Sequence, residues 1–203
     1  GDNDVTSGKL TASGNLTMQA SRMYPTTQTD FTISGAGKIT TLPGEDAPND
    51  KVYSAMGSIT IEAAQGIEHG GYLAAPMGSV TLDGKGKRVL LADGSVVSTA
   101  AVTAVNLGVL RDTDLSWWLA DRSANRSLTT TFEDASQSKP VSIAVKSEDG
   151  EVIVNDGARI DASGGGSMFA YLFTPGIDGS INPIAREGTS PGGTKVRADR
   201  YVI

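Results

Sequence analysis

The sequence predicts an all-β fold, a solenoid of stacked parallel coils (a parallel β-helix) with extra-helical insertions, and three observations carry that expectation. A Gly-polar-aliphatic segment recurs as Gly57-Ser58-Ile59-Thr60-Ile61 and Gly78-Ser79-Val80-Thr81-Leu82, an offset of 21 residues. Each copy alternates apolar and polar residues with the period of two that marks a half-buried strand, and neither follows helical spacing. The 25 glycines are spread along the chain and only 5% of residues are aromatic. Frequent turns between short strands, with a core of many small aliphatic contacts, follow from that composition.

Taken in chain order, looser forms of the same pattern open the sequence at Gly8-Lys9-Leu10-Thr11-Ala12, Gly14-Asn15-Leu16-Thr17-Met18 and Gly37-Lys38-Ile39-Thr40-Thr41. Pro43 to Asp50, rich in Pro, Asn and charge, reads as a loop bulging from one coil. Between the two clearest copies, Gly66 to Ala75 supplies a further short strand closed by the turn Pro76-Met77-Gly78, so that one coil holds two or three strands. Val89-Leu90-Leu91, the turn Asp93-Gly94 and Val96-Val97 follow. The pattern returns at Gly150-Glu151-Val152-Ile153-Val154, then Asn155-Asp156-Gly157, Ala158-Arg159-Ile160-Asp161 and the corner Gly164-Gly165-Gly166. A unit of this length cannot bury both faces alone, and stacking such units creates a continuous apolar column. An antiparallel sandwich is the competing all-β arrangement, and the 21-residue offset favours the solenoid. The stretch from about 98 to 139 breaks the rhythm with Trp117-Trp118 and several charges, and reads as an insertion on the β-helix. Loops displayed on a rigid scaffold are where binding residues concentrate.

The formal charge of −6 argues against nucleic-acid and anionic-membrane partners, which require clustered Lys and Arg, and no basic stripe is present. With no cysteine there is neither a disulfide nor a thiolate metal site, which suits a chain exported unbridged. No stretch approaches the roughly 18 apolar residues of a transmembrane helix. Gly1-Asp2-Asn3-Asp4, lacking a basic n-region or an initiating Met, predicts a segment excised from a longer protein, residues 1–203 forming one β-helix piece.

Catalytic chemistry is sparsely provided for. Asp83 and Asp156 stand where turns use Asp for local backbone hydrogen bonds, while Asp161, on a strand before Ser163-Gly164, is the residue a polysaccharide-acting β-helix enzyme would use. His69 is the only histidine, and its neighbours Glu68 and Gly70-Gly71 predict an exposed turn. A serine or cysteine triad therefore finds almost no support. The Gly-Asp calcium nonapeptide is absent, Gly176-Ile177-Asp178-Gly179 is too short a match, and Gly164-Gly165-Gly166 lacks the Lys and helix of a phosphate loop. Asn15-Leu16-Thr17 and Asn125-Arg126-Ser127 match the glycosylation sequon, a match that means little if the source is bacterial. The expectation is a non-enzyme without metal or cofactor. Trp117 and Trp118 are the candidate ligand-binding aromatics, with Arg111 and Arg122 beside them, since indole faces stack on sugars and on cationic or apolar groups.

Three stretches resemble the large filamentous-haemagglutinin-like exoproteins (adhesins) of bacterial two-partner secretion systems. They are Arg22-Met23-Tyr24-Pro25-Thr26-Thr27 with Asp30-Phe31-Thr32-Ile33; Gly71 to Leu82 leading into Leu91-Ala92-Asp93-Gly94-Ser95-Val96; and Ile160 to Gly166 with Ala170-Tyr171-Leu172-Phe173-Thr174-Pro175-Gly176. Together they span about residues 8 to 183. The resemblance implies a right-handed parallel β-helix, secreted to the bacterial cell surface through a dedicated outer-membrane transporter partner. It implies service in adhesion, aggregation or biofilm attachment through a carbohydrate or cell-surface receptor. No counterpart of the family's N-terminal secretion domain is evident, so a stalk or mid-chain module is expected. An inert spacer is the bland alternative, and exposed coil edges predict self-association.

Overall fold

The structure, a computed structural model, describes residues 6–46, 51–101, 104–110, 117–119, 126–128, 141–166, 168–172, 187–189 and 195–197. The chain divides into two compact units, one of Gly1–Val105 with Lys139–Ser167 and one of Asn106–Ser138 with Met168–Ile203.

The first unit is a β-solenoid of about four turns whose coils have three faces. On the first face lie β1 (Thr6–Ala12), β3 (Thr29–Gly35), β5 (Ser58–Ala63), β8 (Ser79–Asp83) and β14 (Ser142–Lys146), in that spatial order. The second face stacks β2 (Leu16–Ala20), β4 (Ile39–Pro43), β6 (Ile67–His69), β9 (Val89–Leu91) and β15 (Val152–Val154). The third holds β7 (Tyr72–Ala74), β10 (Val96–Ser98) and β16 (Arg159–Asp161), and Met23 joins it through a parallel bridge to Leu73. All the described strand pairs of this unit are parallel, which excludes the antiparallel sandwich for it.

Alternation along each strand builds the core. In β5, Ile59, Ile61 and Ala63 are buried while Ser58, Thr60 and Glu62 are partly exposed. In-register stacking then makes columns: Phe31, Ile59, Val80 and Ile143 form one, and Ile33, Ile61, Leu82 and Val145 the next. Leu16, Ile39, Ile67 and Val89 line the second face, and Leu73 and Val97 the third. Each buried aliphatic is worth roughly 1.5 to 3 kcal/mol, so the columns, with no large ring beyond Phe31, are the main source of cohesion. The 21-residue repeat has a structural cause in the same stacking. A Cβ on Gly78 would lie 1.8 Å from the carbonyl oxygen of Gly57, so this corner closes only with glycine on the upper coil.

Two expectations require correction. Gly150 to Val154 is not a further copy of the Gly57 and Gly78 segments, because β15 pairs with β9 on the second face. Their true counterpart is β14, whose Ser142 and Ile143 stack on Ser79 and Val80. Both faces bury alternate aliphatics, so the pattern reports which residues point inward without reporting which face they belong to. The coil that contains Pro43 departs further from the repeat than a bulging loop. Met23 of the first coil pairs directly with Leu73 of the third, so the intervening coil contributes no strand there. Its chain instead crosses the outside of the third face, where Val52 packs on Tyr72 and Ala74; residues 47–50 lie outside the described residues.

The second unit holds a four-stranded sheet in the order β13 (Arg126–Leu128), β12 (Trp117–Leu119), β11 (Val105–Leu110), β17 (Met168–Leu172), together with the antiparallel pair β18 (Glu187–Thr189) and β19 (Lys195–Arg197). β12 runs antiparallel to both β11 and β13. There is no helix among the described residues, and none of the described elements is a helix long and apolar enough to cross a membrane.

Candidate functional site

The corner between the second and third faces carries a cleft of about 260 Å³. Thr41, Pro43, Gly70, Gly71, Tyr72, Ala92 and Val96 line it, together with Ser21, Asp46, Glu68 and Asp93. Gly71 turns this corner at φ +94°, a conformation that disfavours any side chain. Glu68 is ion-paired with Lys38 of the coil below. Among the described residues no group of three or more His, Asp or Glu is placed to hold a metal ion.

Beneath the cleft sits His69, and its position corrects the expectation of an exposed turn. The side chain is fully buried, inside the coil, in the column between Thr41 and Leu91. Ile67 and His69 share strand parity, and that parity governs where the ring goes, while the flanking glycines govern only the corner after it. The hydrogen bonds fix the tautomer. The Val96 carbonyl, 3.2 Å from Nε2, can only accept, so Nε2 carries the proton, and Nδ1 accepts from the Thr41 hydroxyl at 2.7 Å. Thr41 Oγ1 in turn accepts the Gly70 N–H at 3.2 Å. Burial pushes the imidazole below the ordinary histidine value, and the bond to Val96 offsets part of that. The ring ties three strands together, through Thr41 of β4, its own β6 and Val96 of β10.

Asp83 occupies a turn as expected, its Oδ1 accepting the Lys85 N–H at 2.9 Å. The structure adds an ion cluster. Lys85 Nζ lies 2.9 Å from Asp83 and 3.3 Å from Glu62, and Lys146 Nζ lies 3.2 Å from Asp83, linking three successive coils. Burial alone would raise the Asp83 carboxyl, but the Lys85 N–H and the two ammonium groups outweigh it and hold it at about 2. The in-register stacking of Glu62, Asp83 and Lys146 was the available signal, and it needed the assignment of β14 to the first face.

Asp161 closes β16, and its Oδ1 accepts both the Ser163 hydroxyl, at 2.6 Å, and the Ser163 N–H, at 3.1 Å. These bonds hold the carboxyl below its ordinary value, the opposite of what a general acid requires. Asp156 and Gly157 form a turn whose Asp156 carbonyl accepts the Gly94 N–H of the coil below. Gly164, Gly165 and Gly166 all have positive φ, a tight corner as expected.

Trp117 and Trp118 lie on β12, where Trp117 stands opposite Leu110 and Leu128, and Trp118 opposite Val109 and Ser127. Arg111 and Arg122 lie outside the described residues, as does Gly176 to Gly179. Sequence reasoning passed over two exposed aromatics on the coils, Tyr24 and Tyr53, at 40% and 66% exposure. Comparison of the chain with protein-family models, with curated proteins and with solved structures gives no match to any of them.

Proposed function

We propose that this chain is a structural and adhesive segment of a secreted bacterial surface protein, built like the stalks of the filamentous-haemagglutinin-like exoproteins it resembles. One observation carries the reading: successive coils stack in parallel register on the first and second faces, and later coils also on the third, around a largely aliphatic interior. Such a stack advances roughly 4.8 Å per coil, so length is set by coil number and side chains are displayed at fixed intervals. That is the mechanical behaviour a projecting stalk requires. The bonds between Asp161 and Ser163 and around His69 support a non-catalytic role, because the first commits its side chain to a local turn and the second ties neighbouring coils together.

The adhesive part is tested with the purified chain on cells, abiotic surfaces and itself. The expected result is saturable attachment. Trp117→Ala with Trp118→Ala, in the same assays, asks whether the stretch from 98 to 139 carries the contact. Absence of any attachment reduces the chain to an inert spacer, and product release from a polysaccharide panel replaces the reading with an enzymatic one.

A further inference from the structure

We propose that Tyr24, Tyr53 and Arg22 form a shelf that binds a neutral oligosaccharide, with the adjoining cleft receiving its hydroxyls. This rests on the adhesive reading and gives it a site and a ligand class. The shelf is a product of the coil that leaves the stack. Residues 22–28 and 51–57 run side by side: Arg22 Nη1 donates to the Lys51 carbonyl at 2.9 Å, the Ala55 N–H reaches Thr27 Oγ1 at 3.4 Å, and the Gln28 N–H donates to the Ala55 carbonyl at 3.0 Å. Tyr24 and Tyr53 occupy matching places in these two stretches.

The anchoring around the rings is tight while Tyr24, with Arg22 over its ring, and Tyr53 stay exposed. Val52, Ser54 and Ala55 are at most 5% exposed, so Tyr53 is held on both sides and presented outward between buried neighbours. Tyr24 precedes a buried Pro25, and the Arg22 guanidinium lies 6.0 Å from the Tyr24 ring centroid while its Nη1 grips the second stretch. One side chain thus braces both halves of the shelf. Tyrosine offers a large rigid face at low cost in side-chain entropy, and a pair of them held by buried backbone is prepared for a flat apolar partner.

The surroundings select the partner. Ser21, next to Arg22, and Tyr72, beneath Val52, both line the cleft, so the cleft borders the shelf. The charged residues that line it are Asp46, Glu68 and Asp93, of which Glu68 is ion-paired with Lys38. A ligand that lays C–H faces on tyrosines and donates several hydroxyls to carboxylates is a carbohydrate, and the carboxylates disfavour an anionic one.

The test is binding of the full chain to immobilised neutral oligosaccharides of glucose, mannose, galactose and N-acetylglucosamine. Wild type is expected to bind at least one series, Tyr24→Ala with Tyr53→Ala to lose about tenfold or more in affinity, equivalent to about 1.4 kcal/mol, and Tyr53→Phe to retain binding. Because Tyr53 is two-thirds exposed, Tyr53→Ala alone keeps the fold, checked by an unchanged melting temperature, and is expected to show a partial loss. Undiminished binding by the double variant overturns the shelf and leaves adhesion standing. Attachment to cells with no neutral glycan bound, or with a proline-rich peptide bound instead, overturns the ligand class. No attachment of any kind overturns both readings.

Discussion

The Thr41 hydroxyl donates to Nδ1 of His69 at 2.7 Å in the interior of the coil stack, across two adjacent strands of the second face. This makes the only histidine of the chain a structural crosslink whose neutral form the fold requires. The unfolded chain takes up a proton on His69 below the ordinary value of 6.5, whereas the folded chain resists it. Unfolding therefore becomes easier as pH falls through that value, with more protons bound in the unfolded state. The melting temperature is expected to drop between pH 7.5 and pH 5. In His69→Leu that dependence is expected to vanish with the titrating ring, and the freed Thr41 hydroxyl has the Gly70 carbonyl 3.1 Å away to donate to. Thr41→Val is expected to keep the pH dependence and to cost about 1 to 3 kcal/mol, by leaving a buried ring nitrogen unpaired. Thermal melts across pH for the three proteins decide it.

Gly78→Ala is expected to be among the most damaging small substitutions in the chain. The new methyl would meet the Gly57 carbonyl oxygen at 1.8 Å, and backbone cannot move aside as a flexible side chain does. The coils must separate locally, losing the Ser79 N–H bond to Gly57, with a cost of about 3 kcal/mol or more. Gly86→Ala is the control. Its φ of +80° is strained for alanine, but nothing lies within 4 Å of the added carbon, so about 1 kcal/mol is expected. Urea unfolding of both variants gives the difference directly.

Asp83→Asn tests the ion cluster on the first face. The wild-type carboxylate, held at about 2 in the fold against 3.8 in the unfolded chain, stabilises the fold above 3.8 and loses that contribution as pH falls through 2. The variant is expected to lose about 1 kcal/mol at neutral pH and low salt. The loss should shrink at high ionic strength, since Lys85 and Lys146 are both substantially exposed. It should also shrink toward pH 2, where the wild-type carboxyl is itself protonated. Chemical denaturation at two salt concentrations and two pH values separates these effects.

The parts of the fold legible from sequence were those set by parity. Ile59 and Ile61 announce an inward face, and the Gly57 and Gly78 pair announces stacking at a fixed offset, because both are local or strictly periodic. What parity does not encode is the face to which a strand belongs, so β14 was missed and Glu62, Asp83 and Lys146 were not seen as neighbours. His69 was misjudged because composition around it was weighed above its shared parity with Ile67. The Tyr24 and Tyr53 shelf exists only because one coil skips its third strand, a long-range event signalled by Met23 pairing with Leu73 and by nothing within either tyrosine's own segment.

The coil columns predict a gradient of sensitivity along the stack. Ile61 sits in the middle of its column, between Ile33 and Leu82, and is fully buried, so Ile61→Ala leaves a cavity that the aliphatics stacked on either side cannot collapse to fill. A loss of about 2 to 5 kcal/mol is expected. Val154 faces the same interior in register with Leu91 but is 50% exposed at the last coil described, so Val154→Ala is expected to cost under about 1 kcal/mol. Comparable losses at both sites, measured by urea unfolding, would mean that the last coil is covered as completely as the middle ones and that the stack has no open end at β15.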